Sequence, residues 1–324
     1  MADEPSRSVH EPVLLAECLE HAGRGARPGG IVLDGTLGDG GHAEALLRRS
    51  APDGRLVGLD RDPDALARAR ARLAPFGARA LLVHASFAEM ERVLAERGVG
   101  RVDAVLLDLG VSSPQLDVPA RGFRFAEATA EETPLDMRMD PGGGPSAADL
   151  LRDADEATLA RWFREYGELP GAGRLARAIA HERRRRPLRT AADLLRAVRE
   201  SGVGRGRRHH PATLAFQALR IAVNDELAAL ETALDQAPAV LRPGGRVLVI
   251  AYHSLEDRAV KRRFVALERG CVCPPELPVC RCGRVPLLRR VTRRAIRPGA
   301  EELRRNPRAR SARLRVAERL SEAA

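Results

Sequence analysis

Short apolar runs separated by helix-length stretches of mixed polarity set the rhythm of the first hundred residues. Ile31–Asp34, Arg55–Asp60, Ala80–His84 and Val102–Asp108 each read as a strand of nearly continuous apolar character, the pattern of a strand covered on both faces. Helical patterns lie between them. After the second strand, Asp62-Pro63 supplies a cap and a first-turn proline ahead of an Ala/Leu/Arg run to Leu73, and Gly77 follows its end. Strands alternating with helices predict an α/β fold with a parallel, doubly wound sheet.

After Asp108 the rhythm breaks. From about Gln115 to His210 the chain carries loops, a Pro-Gly-Gly-Gly stretch at Pro141–Gly144 and several helical patterns, as an inserted segment would. The α/β rhythm then resumes with one helical region from Ala212 through Gln236, a turn at Pro243-Gly244-Gly245, a strand from Arg246 to Ala251 and a helix from Leu255 to about Glu268. Alternation over Ala312–Leu320 predicts a last strand. The expected organisation is a first part of the α/β domain over residues 1–114, a mainly helical substrate-recognition insert over 115–210, and a second part with a basic C-terminal region over 211–324.

The chain of 324 residues carries a formal net charge of +10, which favours an anionic partner, nucleic acid being the simplest. Basic clusters at Arg183–Arg186, Arg205–His210, Arg289–Arg297 and Arg304–Arg310 are candidates for following phosphates. Each reads equally well as a solvated face, and Lys261 is the sole lysine, so a preference for arginine also inflates the signal. Met1–His10 holds no apolar run, and no later stretch approaches bilayer length, so a cytosolic protein without a membrane span is expected. Cys271, Cys273, Cys280 and Cys282 crowd together; in a chain of this size they read as reduced thiols or a structural zinc clamp rather than a disulfide framework.

The segment Asp34-Gly35-Thr36-Leu37-Gly38-Asp39-Gly40-Gly41-His42 lies between the first strand and the first helix of the sheet, where open α/β folds bind ligands. Gly38, Gly40 and Ala43 satisfy the loose dinucleotide pattern, so a nicotinamide enzyme is one reading. Charge favours another: Asp34 and Asp39 would repel a pyrophosphate, whereas S-adenosylmethionine has no phosphate and carries an ammonium and a sulfonium. Asp60 ends the second strand, the position of a carboxylate on ribose hydroxyls, while Asp62 is available to cap the helix. Phe87 is placed to cover an adenine face, or simply to fill the core.

That loop, together with Asp108-Leu109-Gly110-Val111-Ser112-Ser113-Pro114-Gln115-Leu116-Asp117 and Pro134-Leu135-Asp136-Met137-Arg138-Met139-Asp140, resembles the small-subunit ribosomal RNA methyltransferase H family. Further segments agree in order: His10-Glu11-Pro12-Val13-Leu14-Leu15, His210-Pro211-Ala212-Thr213, Phe216-Gln217-Ala218-Leu219-Arg220-Ile221, His253-Ser254-Leu255-Glu256-Asp257-Arg258 and Asn306-Pro307-Arg308-Ala309-Arg310-Ser311. The resemblance implies a class I S-adenosylmethionine-dependent methyltransferase with an inserted helical domain. Its implied activity is methylation of N4 of a cytidine in the decoding region of 16S rRNA, with the small ribosomal subunit as partner. It further implies contacts to the cofactor from Gly40, Gly41, His42, Asp60, Phe87, Asp108 and Gln115. One departure is visible: after Tyr166-Gly167-Glu168 the chain continues Leu169-Pro170-Gly171-Ala172-Gly173, which predicts a loop there.

Asp108 is also the leading catalytic candidate, because it ends the fourth strand and the Ser-Ser-Pro after it is similar to the Ser/Asp-Pro-Pro motif of amino-methylating DNA enzymes. The catalytic and the cofactor roles compete for one carboxylate; a backbone carbonyl within Leu109–Ser113 is the fallback. His253 reads either as a substrate or phosphate contact or as a hydrogen-bonded structural residue. A looped-out base needs stacking partners, and Phe123, Phe125, Trp162, Phe163 and Tyr166 all fall inside the insert, with Phe123 and Phe125 the stronger candidates for RNA. The competing class is a ribosome-assembly factor that binds RNA without catalysis.

Overall fold

The computed structural model describes residues 11–204, 211–269, 273–274, 277–279 and 281–321. The chain forms two compact units: Met1–Gly110 with Leu227–Ala324, and Val111–Glu226.

The first unit is built on a seven-stranded sheet of the order β3-β2-β1-β4-β5-β7-β6. Its strands are β1 (Ile31–Asp34), β2 (Arg55–Asp60), β3 (Ala80–His84), β4 (Val102–Asp108), β5 (Leu241–Ala251), β6 (Leu288–Arg290) and β7 (Arg313–Arg319). β1 to β5 are parallel, and β7 runs antiparallel between β5 and β6. The apolar runs over β1 to β4 thus form strands at the positions that the sequence predicts. β5 starts earlier than the pattern suggests: Leu241 pairs with Val102 and Arg246 with Ala104, so the Pro243–Gly245 turn becomes an irregularity within a strand.

In chain order the first unit contributes α1 (Leu15–His21), α2 (Gly41–Arg49), α3 (Pro63–Leu73) and α4 (Met90–Glu96). The second unit contributes α5 (Ser113–Asp117), α6 (Ala147–Asp153), α7 (Glu156–Glu165), α8 (Ala172–Arg185), α9 (Ala191–Ser201) and α10 (Pro211–Asn224). The chain returns to the first unit with α11 (Glu226–Val240), α12 (Ser254–Arg269) and α13 (Ala300–Arg305). Among the described residues no helix is long and apolar enough to cross a membrane.

Alternating strand positions feed two cores, as the two-residue period of a strand requires. Leu33, Val57, Leu107, Val247 and Val249 pack with Met90 of α4, Leu234 of α11 and Phe264 of α12. Val32, Leu56, Leu106, Leu248 and Ile250 pack on the opposite face with Cys18 of α1, Leu46 of α2 and Leu66 of α3. Both faces being covered explains why these strands read as continuous apolar runs.

The helical core of the second unit gathers Leu151, Leu159, Phe163, Leu175, Ile179 and Leu194. α10 adds Ala212, Ala215, Phe216 and Leu219 to it, so the unit extends to Glu226 rather than ending at residue 210. The single helical region read over Ala212–Gln236 is in fact two helices, broken where Asp225 takes φ 50°, a left-handed conformation that no helix continues through. Leu169-Pro170-Gly171 is a loop, and α8 begins at Ala172 behind Gly171 at φ 80°.

Candidate active site

Three carboxylates stand at the carboxyl ends of three neighbouring strands: Asp60 on β2, Asp34 on β1 and Asp108 on β4. The Asp34–His42 loop runs over this edge from β1 into α2. Gly40 caps α2 at φ 78°, a backbone state that side chains rarely adopt. At Gly35 a Cβ would lie 2.6 Å from Leu107 Cδ2 and 2.8 Å from Phe87 Cβ, so the loop packs directly on β4 and on Phe87. Gly41 and His42 open the first turn of α2, and His42 is buried.

Asp60 joins two loops. Its Oδ2 accepts the Gly38 N–H at 2.7 Å and its Oδ1 accepts the Asp62 N–H at 2.8 Å, while Asp62 caps α3 through the Asp64 N–H. Burial pushes the Asp60 carboxyl above its ordinary range, and these backbone donors oppose the shift. Asp34 is 1% exposed and accepts the Thr36 N–H at 3.2 Å. Burial pushes it up to about 7, His42 opposing and the neighbouring Asp108 and Asp60 adding to it.

Asp108 sits in a network of its own. Its backbone N–H donates to Thr36 Oγ1 at 2.6 Å, and its Oδ1 accepts the Tyr252 hydroxyl at 2.9 Å. Oδ2 lies 3.7 Å from His42 Nδ1. Burial pushes Asp108 up to about 7 against the Tyr252 hydrogen bond. His42 Nε2 lies 3.0 Å from the Val13 carbonyl oxygen, which only accepts, so Nε2 carries the proton. Burial drives the imidazole pKa down, and the neutral ring turns its acceptor nitrogen, Nδ1, towards Asp108.

Gly40, Gly41, His42, Asp60, Phe87 and Asp108 therefore gather at one sheet edge. Gln115 lies in the second unit, buried, where Ser112 and Gln115 cap α5 reciprocally: Gln115 Oε1 accepts the Ser112 N–H at 3.0 Å and Ser112 Oγ accepts the Gln115 N–H. His253 behaves as a capping residue as well. Its Nδ1 accepts the Glu256 N–H at 3.4 Å, and Glu256 Oε2 accepts the His253 and Tyr252 N–H groups. The structure corrects the electrostatic reading at Asp39, whose carboxylate pairs with Arg68 at 2.7 Å; the negative character of the pocket rests on Asp34, Asp60 and Asp108 instead.

Tyr252 and Thr36 escaped the sequence reading. Thr36 sits inside the glycine loop and Tyr252 directly after β5, so position hinted at both, but their bonds to Asp108 span 72 and 144 residues. The five aromatics of the insert all serve its core: Phe163 and Phe123 are buried, while Phe125, Trp162 and Tyr166 pack against them. Phe125 also packs against Phe216 with ring centroids 4.7 Å apart and the rings tilted by 42°. Arg183 donates to the Leu151 and Ala154 carbonyls, a structural role for part of the first basic cluster. Arg205–His210, His10, Cys271 and Cys280 lie outside the described residues; of the four clustered thiols, Cys273 accepts the Arg281 N–H.

The model of the MraW methylase family matches residues 7–320. The chain belongs to that family. Among curated relatives, the protein named Ribosomal RNA small subunit methyltransferase H from Syntrophus aciditrophicus is 50% identical over 98% of this chain and 99% of its own length. The protein of the same name from Geobacter sulfurreducens is 52% identical over 96% and 99%. A solved rRNA methylase structure from Streptococcus thermophilus aligns over 97% of this chain and 99% of that one, at 10% identity and a TM-score of 0.45; this likeness bears on neither substrate nor mechanism.

As a member of this family the protein has the class I methyltransferase fold, and its cofactor is S-adenosylmethionine. The residues present fit that cofactor. Asp34 and Asp108 are carboxyls that burial holds near neutrality, so a positively charged ligand restores their ionised form at little cost, whereas a diphosphate would meet three acidic groups.

Proposed function

We propose that the protein methylates N4 of a cytidine in the decoding region of 16S rRNA, acting in the cytoplasm on the small ribosomal subunit. Two relatives near half identity over almost their whole length carry the name of a small-subunit rRNA methyltransferase, which supports rRNA as substrate. The observation that carries the chemistry is the placement of Asp108, with Tyr252 on one carboxylate oxygen and His42 facing the other, at the end of the strand beside the glycine loop.

The bound cofactor supplies an electrophilic methyl on a sulfonium. Gly40 and Gly41 would let the loop approach it, Asp60 would hold its ribose hydroxyls and Phe87 would cover its adenine, with Gln115 the further contact that the family resemblance implies. His42, uncharged, adds no repulsion towards the sulfonium and holds the N-terminal segment through Val13. The N4 amine of cytosine is a weak nucleophile because its lone pair is shared with the ring, so holding it in line is the main lever, worth at best roughly 7–11 kcal/mol. The amine becomes acidic as the new bond forms, and a carboxylate that titrates near 7 is suited to receive its proton. We assign that role to Asp108, oriented by Tyr252.

The test is methyl transfer to small subunits purified from a strain that lacks the protein, followed by mass mapping of 16S rRNA. One methyl on the exocyclic nitrogen of one decoding-region cytidine is the expected result. Label on C5, on a ribose or on another RNA overturns the assignment, and RNA binding without any transfer points to an assembly factor.

A further inference from the structure

The first unit holds a cavity of opposite charge to the carboxylate site, on the other face of the sheet. It encloses about 410 Å³ and is lined by Asp257 and Lys261 of α12, Arg293, Arg294 and Arg297 of the segment after β6, and Arg313 and Arg315 of β7. Six cations face one acidic group. Asp257 is already engaged, accepting from Arg315 at 2.7 Å and from Arg313 at 3.1 Å. Burial raises its carboxyl, but the two arginines outweigh this and hold it below its ordinary range. The pair fixes two guanidinium groups as the floor of the cavity, and Lys261, Arg293, Arg294 and Arg297 are exposed around it.

The rim is built rather than loose. The segment after β6 forms an arch fastened to β7 at both ends: the Val291 N–H donates to the Val316 carbonyl, the Val316 N–H to Thr292 Oγ1, and Ile296 and Leu314 exchange both backbone bonds. Arg293 and Arg294 stand on the crest of this arch. Other arginines of the two C-terminal basic clusters are spent on partners, Arg289 on Glu318, Arg290 on Glu268 and Arg305 on Glu11.

Its place in the sheet ties it to the chemistry. Arg313 pairs with Ala251 at the end of β5, and Ile250 pairs with Asp108. The cavity therefore lies near the same end of the strands as Asp108, two strands across, or about 10 Å along the sheet, on the face covered by α12. The Asp108 carboxyl, bonded to Tyr252 and facing His42, lies towards the other face, that of α1 and α2.

We propose that this cavity is a phosphate-binding site that grips the RNA backbone beside the target nucleotide while the base reaches Asp108. The inference rests on the RNA-methyltransferase reading above and names where that reading's substrate is held. Guanidinium groups in a fixed array suit phosphate oxygens, and each neutralised phosphate releases counterions, which makes the contact salt-dependent.

The test uses the full-length protein carrying Arg293→Ala and Arg297→Ala together, against a control with Arg55→Ala and Arg97→Ala, two exposed arginines at the opposite sheet edge. Binding to a 16S rRNA transcript is measured over a salt series, with S-adenosylhomocysteine affinity as the folding check. The expected result is RNA binding weakened at least tenfold and a salt slope reduced by about 1–2 in log–log form. KM for small subunits rises while kcat changes less than twofold, and the control pair behaves as wild type. An unchanged slope, or an equal loss in the control pair, overturns the proposal. Weaker binding to intact subunits with normal binding to the transcript also overturns it, because the partner is then a protein. If the wild-type protein methylates a position other than N4 but the slope still falls in the variant, the functional reading fails and the cavity assignment stands; N4 methylation with an unchanged slope has the reverse meaning.

Discussion

The hydroxyl of Tyr252 reaches Asp108 Oδ1 at 2.9 Å, so the residue directly after β5 orients the carboxylate at the end of β4. The two side chains sit at the ends of adjacent parallel strands, and the sheet itself sets their separation.

Removing that hydroxyl tests the arrangement. The hydrogen bond stabilises ionised Asp108 against burial, so Tyr252→Phe moves its pKa further above 7. A hydrogen bond to a charged group is worth about 1.5–3 kcal/mol, equivalent to roughly one to two pH units. The pH–rate profile of the variant should rise at correspondingly more alkaline pH, with activity at neutral pH lowered about tenfold and largely recovered above pH 9. Superimposable profiles would remove Tyr252 from the account.

The buried carboxyls also set a stability trend in the ligand-free protein. Asp34 has a folded pKa of about 7 against an ordinary 3.8, so between these values the folded state holds a proton that the unfolded chain has released. Stability from this group is complete below about pH 4 and is lost as pH rises through 7. Denaturant unfolding at pH 5.5 and 8 should show the decline, amounting to a few kcal/mol, and Asp34→Asn should make it shallower, the part due to Asp108 remaining. A slope of the opposite sign in the wild type relative to the variant would contradict the burial described here.

Gly40→Ala places a side chain at φ 78°, at about 1–2 kcal/mol of strain. The melting temperature should fall by a few degrees, while affinity for S-adenosylhomocysteine should fall by more than tenfold if, as proposed, this turn approaches the cofactor. Calorimetry that shows wild-type affinity would separate this loop from the cofactor site.

In the second unit Asn224 holds the Pro134–Asp140 motif in shape. Its Nδ2 donates to the Met137 carbonyl at 2.7 Å, and its Oδ1 accepts the Met139 N–H at 2.8 Å, around a Met137 that sits at φ 63°. Asn224→Ala leaves buried backbone groups without these partners, at about 1–3 kcal/mol. Thermal unfolding should show the loss, with cofactor affinity changed little; a variant as stable as wild type would refute the role.

The sheet was legible because both its faces are covered, which makes β1 to β4 apolar without interruption, and because Asp62-Pro63 announces α3 chemically. Asp34, Asp60 and Asp108 could be read from their positions at strand ends. The Tyr252–Asp108 and Thr36–Asp108 bonds could not, since they depend on strand order and register rather than on neighbours in sequence. The break at Asp225 was hidden because a left-handed aspartate carries no glycine or proline to mark it. The pairing of Asp39 with Arg68 joins a loop to a helix face, and Arg68 reads in sequence as one more exposed cation. The basic cavity was legible only in part: Arg293, Arg294 and Arg297 fall in a basic cluster that the sequence shows, but Asp257, Lys261, Arg313 and Arg315 lie on other segments that the β5–β7 pairing brings to it.

The most direct test of the central claim, a site whose buried carboxylates select a phosphate-free cation, is calorimetric titration of the purified protein with S-adenosylmethionine and with NAD at pH 6 and 8. The account predicts saturable binding of S-adenosylmethionine that tightens as pH rises through 7 and releases protons at pH 6, with no measurable heat from NAD. Saturation by NAD, or S-adenosylmethionine binding that weakens with rising pH, would contradict it.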